Sequence, residues 1–301
     1  MVKPGAVHSA DGRQFYKYMP MQAAIKVIES CALRWSSPQC FNDPYDTRTR
    51  LPLKFDSGQL LKQLNEEWAH RIEHGKVVTL HPTFSLLTSR IKDLSHMARV
   101  ELARELSSAD FTAEFQSRNP LRELLEGWEE RVRRSRVLCL SSSRDVGPMW
   151  VHYSDQYRGV VLAFRAEKAL DSPFLLAREV EYADGDAAVA LAVAWVDCIL
   201  DHAETRWTRL FTDFQYRKAS HWSYEKEWRI INYVSNDSDS MITNYKYHPL
   251  ELSAVLLGPR VEQTASARLS ALAREQNPLC GIFSGDFDSH RNGLTFTQLL
   301  R

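Results

Sequence analysis

The 301-residue chain has no excess of either charge, with 38 Lys and Arg against 38 Asp and Glu. A dedicated nucleic-acid binder usually carries a basic surplus, so the balance argues against one while leaving room for a local basic groove. The five cysteines, at 31, 40, 139, 198 and 280, form no C-x-x-C pair, and their odd, scattered arrangement excludes a disulfide framework. Cys31 and Cys139 lie in apolar surroundings and read as small buried residues of a reducing cytosol. No window approaches the roughly eighteen apolar residues of a membrane span. The first residues lack the apolar run of a signal peptide, so the expectation is a soluble, cytoplasmic protein. Also missing are G-x-x-x-x-G-K-[ST], G-x-G-x-x-G and G-x-S-x-G, which removes P-loop, dinucleotide-fold and serine-hydrolase readings. There is no internal repeat and no low-complexity linker.

The chain does have ample material for a core, being 44% hydrophobic with 8 Trp. Short strands are expected at 14–18, 32–36, 137–141, 159–164, 179–182, 225–232, 245–247, 252–257, 281–283 and 294–299. Helices are expected at 21–30, 148–153 and 266–275, and as one long helix from Asp186 to Tyr216 with Val189, Val193, Val196, Leu200, Trp207, Leu210 and Phe214 on its apolar face. Residues 58–136 turn helical: Leu60, Leu61, Leu64, Trp68 and Ile72 recur at helical spacing, as do Leu87, Ile91, Leu94 and Ala98, then Leu121, Leu124, Leu125, Trp128 and Val132. Asn119-Pro120 reads as a helix start. Strands outside one helical insertion, with helices between them, indicate an α+β fold.

The densest stretch is Lys218 to Tyr233, K-A-S-H-W-S-Y-E-K-E-W-R-I-I-N-Y. Read as a strand from Glu225, it puts Glu225, Glu227 and Arg229 on one face and Lys226, Trp228 and Ile230 on the other. One interpretation is a half-exposed strand whose Glu–Arg ion pair contributes about 0–1 kcal/mol. The other is a site.

Other candidates have plainer explanations. His70 and His74 are four apart without the glutamate of H-E-x-x-H, and fit a solvated helix face better than zinc. Asp286, Asp288 and His290 fit a polar loop before Asn292-Gly293 better than a metal site. Arg131 to Arg136 suits a helix C-terminus better than phosphates. What remains is a distributed polar and aromatic set: Tyr16, Lys17 and Tyr18; Arg34 with Ser36 and Ser37; Asn42 and Asp43 in the turn F-N-D-P-Y-D; Trp150 and Tyr153; Glu225 and Glu227. Strand ends and turns of this kind can line one pocket.

The ordered motifs F-Y-K-Y, L-R-W-S-S-P, F-N-D-P-Y-D, C-L-S-S, M-W-V-H-Y, G-V-V-L-A-F and W-S-Y-E-K-E-W-R-I resemble the bacterial family known as domain of unknown function 2971, common in defence and mobile-element neighbourhoods. The resemblance spans roughly residues 14–260. The element order further resembles the ADP-ribosyltransferase fold of DarT-like toxins. That likeness implies a single domain over residues 1–301, a mixed or antiparallel β core with a helical insertion at 58–136, and NAD as substrate with no metal. Glu227 would be the catalytic carboxylate and Glu225 its helper toward the acceptor, as in the E-x-E pair of arginine-modifying toxins. Tyr16 to Tyr18 would form the first strand of the site, with Ser36 and Ser37 ending the second. Tyr18, Trp150 or Tyr153 would stack on nicotinamide, and Asn42, Arg34 or Lys17 would hold its carboxamide or the pyrophosphate. Arg229 would be a structural ion-pair partner. Asp43 and Ser36 belong to the same implied lining.

The implied function is an NAD-dependent ADP-ribosyltransferase, a toxin or phage-defence effector modifying nucleic acid or protein, with an antitoxin or defence protein as a further partner. The alternatives are a non-catalytic module sensing a nucleotide or protein, and a metal-dependent nuclease.

Overall fold

The structure is a computed structural model and describes residues 12–43, 45–46, 53–75, 91, 93–108, 120–185, 191–201, 204–235, 240–290 and 293–299. The chain forms two compact units, one of residues 1–46, 133–183 and 218–301, the other of residues 47–132 and 184–217.

The first unit is built on one open, mostly antiparallel sheet. It holds β1 (Gln14–Met19), β2 (Ala32–Ser36), β3 (Ser135–Ser141), β4 (Val160–Arg165), β5 (Arg178–Glu179), β8 (Glu227–Tyr233), β9 (Ile242–Lys246), β10 (Leu252–Leu257), β11 (Gly281–Asp288) and β12 (Gly293–Gln298). The order runs β12-β11-β10-β4-β1-β3-β2-β9, with β8 on the other edge of β3 and β5 beyond β8; β10 and β11 are parallel. Helices α1 (Met21–Ser30), α5 (Gly147–His152) and α8 (Gln263–Gln276) belong to this unit. Alternation of side chains along β1 and β8 sends Phe15, Trp228 and Ile230 into a core with Phe164, Phe174, Ile28 and Leu269. Tyr18, Val161, Ala163 and Ala254 join Trp150 in a second cluster.

The sheet forks at β3. Along one edge β3 pairs β8 at seven successive positions, Ser135↔Tyr233 to Ser141↔Glu227. Along the other it meets β1 through Tyr16↔Ser141 and β2 through Ser36↔Val137. Between those two contacts the Lys17 ammonium donates to the Cys139 carbonyl at 2.6 Å. A lysine thus satisfies a strand acceptor where the ladder opens.

Between α5 and β4 lies a strained turn, in which Asp155, Gln156 and Tyr157 all have positive φ (45°, 52° and 72°). Non-glycine residues rarely do so in succession. The turn is held by Gly159 N–H to the Ser154 carbonyl at 2.8 Å and Arg260 N–H to the Tyr157 carbonyl at 3.2 Å. It closes only because Gly258 lacks a side chain: a Cβ there would come within 2.2 Å of the Tyr157 carbonyl oxygen.

The second unit is helical. It contains α2 (Ser57–Glu73), α3 (His96–Ser108), α4 (Pro120–Arg134), α6 (Ala192–Asp201) and α7 (Glu204–Gln215). α2 opens with a capping box between Asp56 and Gln59 and buries Leu60, Leu61, Leu64, Trp68 and Ile72. Trp128 is the hub of the aromatic core, with ring centroids 4.7 Å from Phe211, 5.3 Å from Phe214 and 5.9 Å from Trp195.

One helical expectation changes, and another falls partly outside the described residues. The long helix expected from Asp186 is described as α6 and α7, with residues 186–190 and 202–203 outside the described residues. Val193 is exposed, because α6 buries Ala192, Trp195, Val196, Cys198 and Leu200 instead. Leu87, Asn119 and Asn292, and the side chains of Leu121 and Leu124, also fall outside the described residues.

Candidate functional site

β8 does not begin at Glu225. Residues Ser220–Glu225 form a 3-10 turn, Lys226 is left-handed at φ 46°, and the strand starts at Glu227. The period-two face expected for Glu225, Glu227 and Arg229 is therefore broken at Lys226. Only Glu227 and Arg229 share a strand face, and that face is buried as deeply as the one bearing Trp228 and Ile230.

The two glutamates are nevertheless brought together by another residue. Lys218, on the two-residue strand β7 (Arg217–Lys218), places its ammonium 2.5 Å from Glu225 Oε2 and 2.9 Å from Glu227 Oε2. Asp46 Oδ2 lies 3.6 Å from the same ammonium, and the ring of Trp222 5.0 Å from it. Arg229 closes the group from the strand. Its Nε donates to Glu227 Oε1 at 2.7 Å, and its Nη2 to Glu227 Oε2 at 3.0 Å and to Asp46 Oδ2 at 2.6 Å. By formal charge there are three carboxylates and two cations, all buried.

Tyrosines complete the shell. Tyr153, at the end of α5, donates its hydroxyl to Glu225 Oε1 at 2.8 Å and is itself bonded by Asn42. The Tyr182 hydroxyl, on β6 (Glu181–Tyr182), accepts the Glu227 N–H at 2.7 Å. Ser141 Oγ donates to the Glu225 carbonyl at 2.7 Å, and the Cys139 thiol bonds the Glu227 carboxylate.

The electrostatics follow from these contacts. Burial raises the Glu227 carboxyl, but Arg229 and Lys218 outweigh it and hold that group at about 2. Burial lowers the Lys218 and Arg229 values while the facing carboxylates drive both well above their ordinary range. Burial and Glu225 push the Tyr153 phenol up, so its hydroxyl stays a donor. Burial and Glu227 likewise keep the Cys139 thiol protonated.

The remaining sequence candidates scatter. Tyr18 is buried, accepts the Val146 N–H and donates to the Ser143 carbonyl. Trp150 is fully buried, lies edge-on to Tyr18, stacks with Tyr157 and with Phe296, and gives its Nε1–H to the Arg144 carbonyl. Tyr16 donates to Gln14, and burial raises its phenol. Arg34 is exposed and donates to Ser36 at 3.3 Å. Asp43 accepts the Tyr45 N–H in a local turn, and Ser37 caps the turn Pro38–Cys40. Thus Asn42, Tyr153, Glu225 and Glu227 converge, whereas Tyr16, Tyr18, Arg34, Ser36, Asp43 and Trp150 do not touch the ionic group. Lys17 stands one residue away, on the carbonyl of Cys139.

Lys218, Asp46, Tyr182, Cys139 and Ser141 were not singled out by pattern. The first two stand in stretches already marked by aromatics and turns, at the head of K-A-S-H-W-S-Y-E-K-E and the end of F-N-D-P-Y-D. Among the described residues no group of three or more His, Cys, Asp and Glu is placed to hold a metal ion, and no helix is long and apolar enough to cross a membrane.

A family model described as "Protein of unknown function (DUF2971)" matches residues 149–230, which bears out the family resemblance over that stretch. The matched segment runs from α5 into β8 and carries Tyr153, Tyr182, Lys218, Glu225, Glu227 and Arg229. No curated protein and no solved structure matches the chain.

Proposed function

We propose that the chain is an NAD-consuming, ADP-ribosyltransferase-like enzyme that passes ADP-ribose to a protein or nucleic-acid acceptor, with Glu227 as its catalytic carboxylate. One observation carries this reading: Tyr16, Ser141 and Glu227 stand in a single cross-strand row, through Tyr16↔Ser141 and Ser141↔Glu227. A first strand, a strand ending in serines and a strand opening on glutamate lie side by side, which supports the reading although the resemblance put its serines at Ser36 and Ser37. The serine strand is β3, with Ser141 to Ser143, rather than β2 with Ser36 and Ser37.

NAD supplies a labile nicotinamide–ribose bond, whose cleavage builds positive charge on the ribose ring. Glu227 is held anionic by Arg229 and stabilises that charge where it develops. Tyr153 and Asn42 fix Glu225, which orients or deprotonates the acceptor. Tyr182 pins the main chain at Glu227 and so sets where β8 begins.

A second reading has its own support. Glu227 is only 3% exposed with both oxygens engaged, which suits a module that binds a nucleotide without turning it over. Nicotinamide release with NAD and candidate acceptors separates the two. Turnover that falls about 10²–10³-fold in a folded Glu227→Gln protein supports the enzyme, in line with loss of one charge-stabilising group. Undiminished turnover removes Glu227 from the catalytic role. NAD binding with no nicotinamide released establishes the sensor.

A further inference from the structure

The two buried cations are held very differently. Arg229 sits within β8, between β3 and β5, and makes three charge-assisted bonds of 3.0 Å or less. Lys218 is carried on a two-residue strand between the end of α7 and the 3-10 turn at Ser220, and reaches the carboxylates on a flexible four-carbon stem. Withdrawing the two would also have different consequences. Without Arg229, Asp46 and Glu227 would lose three charge-assisted bonds, with Lys218 the remaining cation between them, 3.6 Å from Asp46 and 2.9 Å from Glu227. Without Lys218, Glu227 and Asp46 keep the Arg229 guanidinium, and Glu225 keeps the Tyr153 hydroxyl. The group therefore survives the loss of Lys218 with every carboxylate still bonded. What opens is a position between Glu225 Oε2 and Glu227 Oε2, walled by the face of Trp222, which suits a positive charge.

We propose that Lys218 is a displaceable plug: its ammonium occupies the place between Glu225 and Glu227 that the ribose of the substrate takes, a ribose that turns cationic only as its bond to nicotinamide breaks, and its withdrawal opens the site. This rests on Glu227 being the catalytic carboxylate. The plug accounts for a cation that is wedged at rest between the two carboxylates of the site. It also makes the resting protein bind NAD more weakly than the open one, since apparent affinity falls with the fraction of molecules in the competent state.

The test compares wild type with Lys218→Ala and with Lys218→Met, which keeps the stem and protects against a folding failure. NAD affinity is measured by calorimetry and turnover by nicotinamide release, with and without ethylammonium chloride or ethanol. Both variants are expected to bind NAD roughly tenfold or more tightly than wild type, as when a minor open state becomes the major one. Ethylammonium should reverse the gain in Lys218→Ala by refilling the vacated position, while neutral ethanol should not. Variants that bind NAD no better than wild type, or a gain that ethylammonium leaves untouched, overturn the plug. If wild type turns over NAD and the folded variants lose that activity, Lys218 assists the reaction, and the plug falls while the enzyme reading stands. If no folded protein in the set binds NAD or releases nicotinamide, the enzyme reading falls and takes the plug with it.

Discussion

Two arginines are completely buried in the same pair of strands, Arg136 on β3 and Arg229 on β8. Arg136 gives its protons to neutral acceptors: the Arg133 and Ser135 carbonyls at 2.8 Å each, the Ser240 carbonyl, and Thr243 Oγ1 at 3.2 Å. Arg229 gives its protons to carboxylates. The titration of the two guanidinium groups moves in opposite directions, downward for Arg136 because burial dominates, upward for Arg229 because Glu227 and Asp46 overcome burial. The carbonyl-held arginine ties a strand end to the chain around Ser240. The carboxylate-held arginine fixes anions in an interior that would otherwise neutralise them. Of the two, only the second arrangement holds ionised carboxylates in the interior.

The largest expected effect comes from deleting each arginine in turn. Arg229→Met should cost about 3–5 kcal/mol, because Glu227 and Asp46 then lose the guanidinium that makes their shortest charge-assisted bonds. Arg136→Met should cost less, about 1–3 kcal/mol, since carbonyls rather than anions lose their partner. Urea unfolding of the two variants measures the order, and equal losses would erase the distinction between them.

Acid titration sharpens the same contrast. The Glu227 carboxyl is depressed to about 2 from an ordinary 4.5, so the stability it contributes is present above pH 4.5 and is lost as pH falls toward 2. The unfolding midpoint of wild type should therefore fall steeply across that interval. In Glu227→Gln this part of the acid slope should disappear, whereas Arg136→Met should retain it. A Glu227→Gln protein with the full wild-type slope would show that another group carries it.

The smallest effect lies at the rim of the group. Tyr153→Phe removes one hydroxyl donated to Glu225 and should cost about 0.5–1.5 kcal/mol, the scale of a single hydrogen bond at a half-buried site. Read by thermal unfolding, a neutral Tyr153→Phe would place Glu225 outside the bonded shell.

Local pattern was legible in the sequence, and long-range pairing was not. The apolar runs of β3, β4 and β10, the helix M-W-V-H-Y and the apolar face of α2 follow from periodicity alone. Trp228 and Ile230 enter the core as alternation requires, and the Glu–Arg pair forms as expected. The start of β8 was misread because nothing in S-Y-E-K-E announces a left-handed residue; lysine carries no preference for that conformation. Lys218 escaped notice because it meets the glutamates across a folded turn rather than by strand spacing. Asp46 escaped because its partner is distant in sequence. Trp150 and Tyr18 read as site residues because they are aromatics near polar turns, but their indole and hydroxyl protons go to loop carbonyls.

That distance has a consequence for how the protein is made. Asp46 and Arg229 are 183 positions apart, so the aspartate leaves the ribosome long before its partner has been synthesised. β1 likewise waits for β3 and β4, and β3 for β8. During synthesis the early segment can place strands and helices but must keep that carboxylate in water, because an unpaired anion is too costly to bury. The interior of the sheet is therefore completed late, by a contact order that favours slow folding and prolonged exposure of strand edges. The ionic group is thus a closing clasp on the fold, fastened after the polypeptide on both sides of it exists.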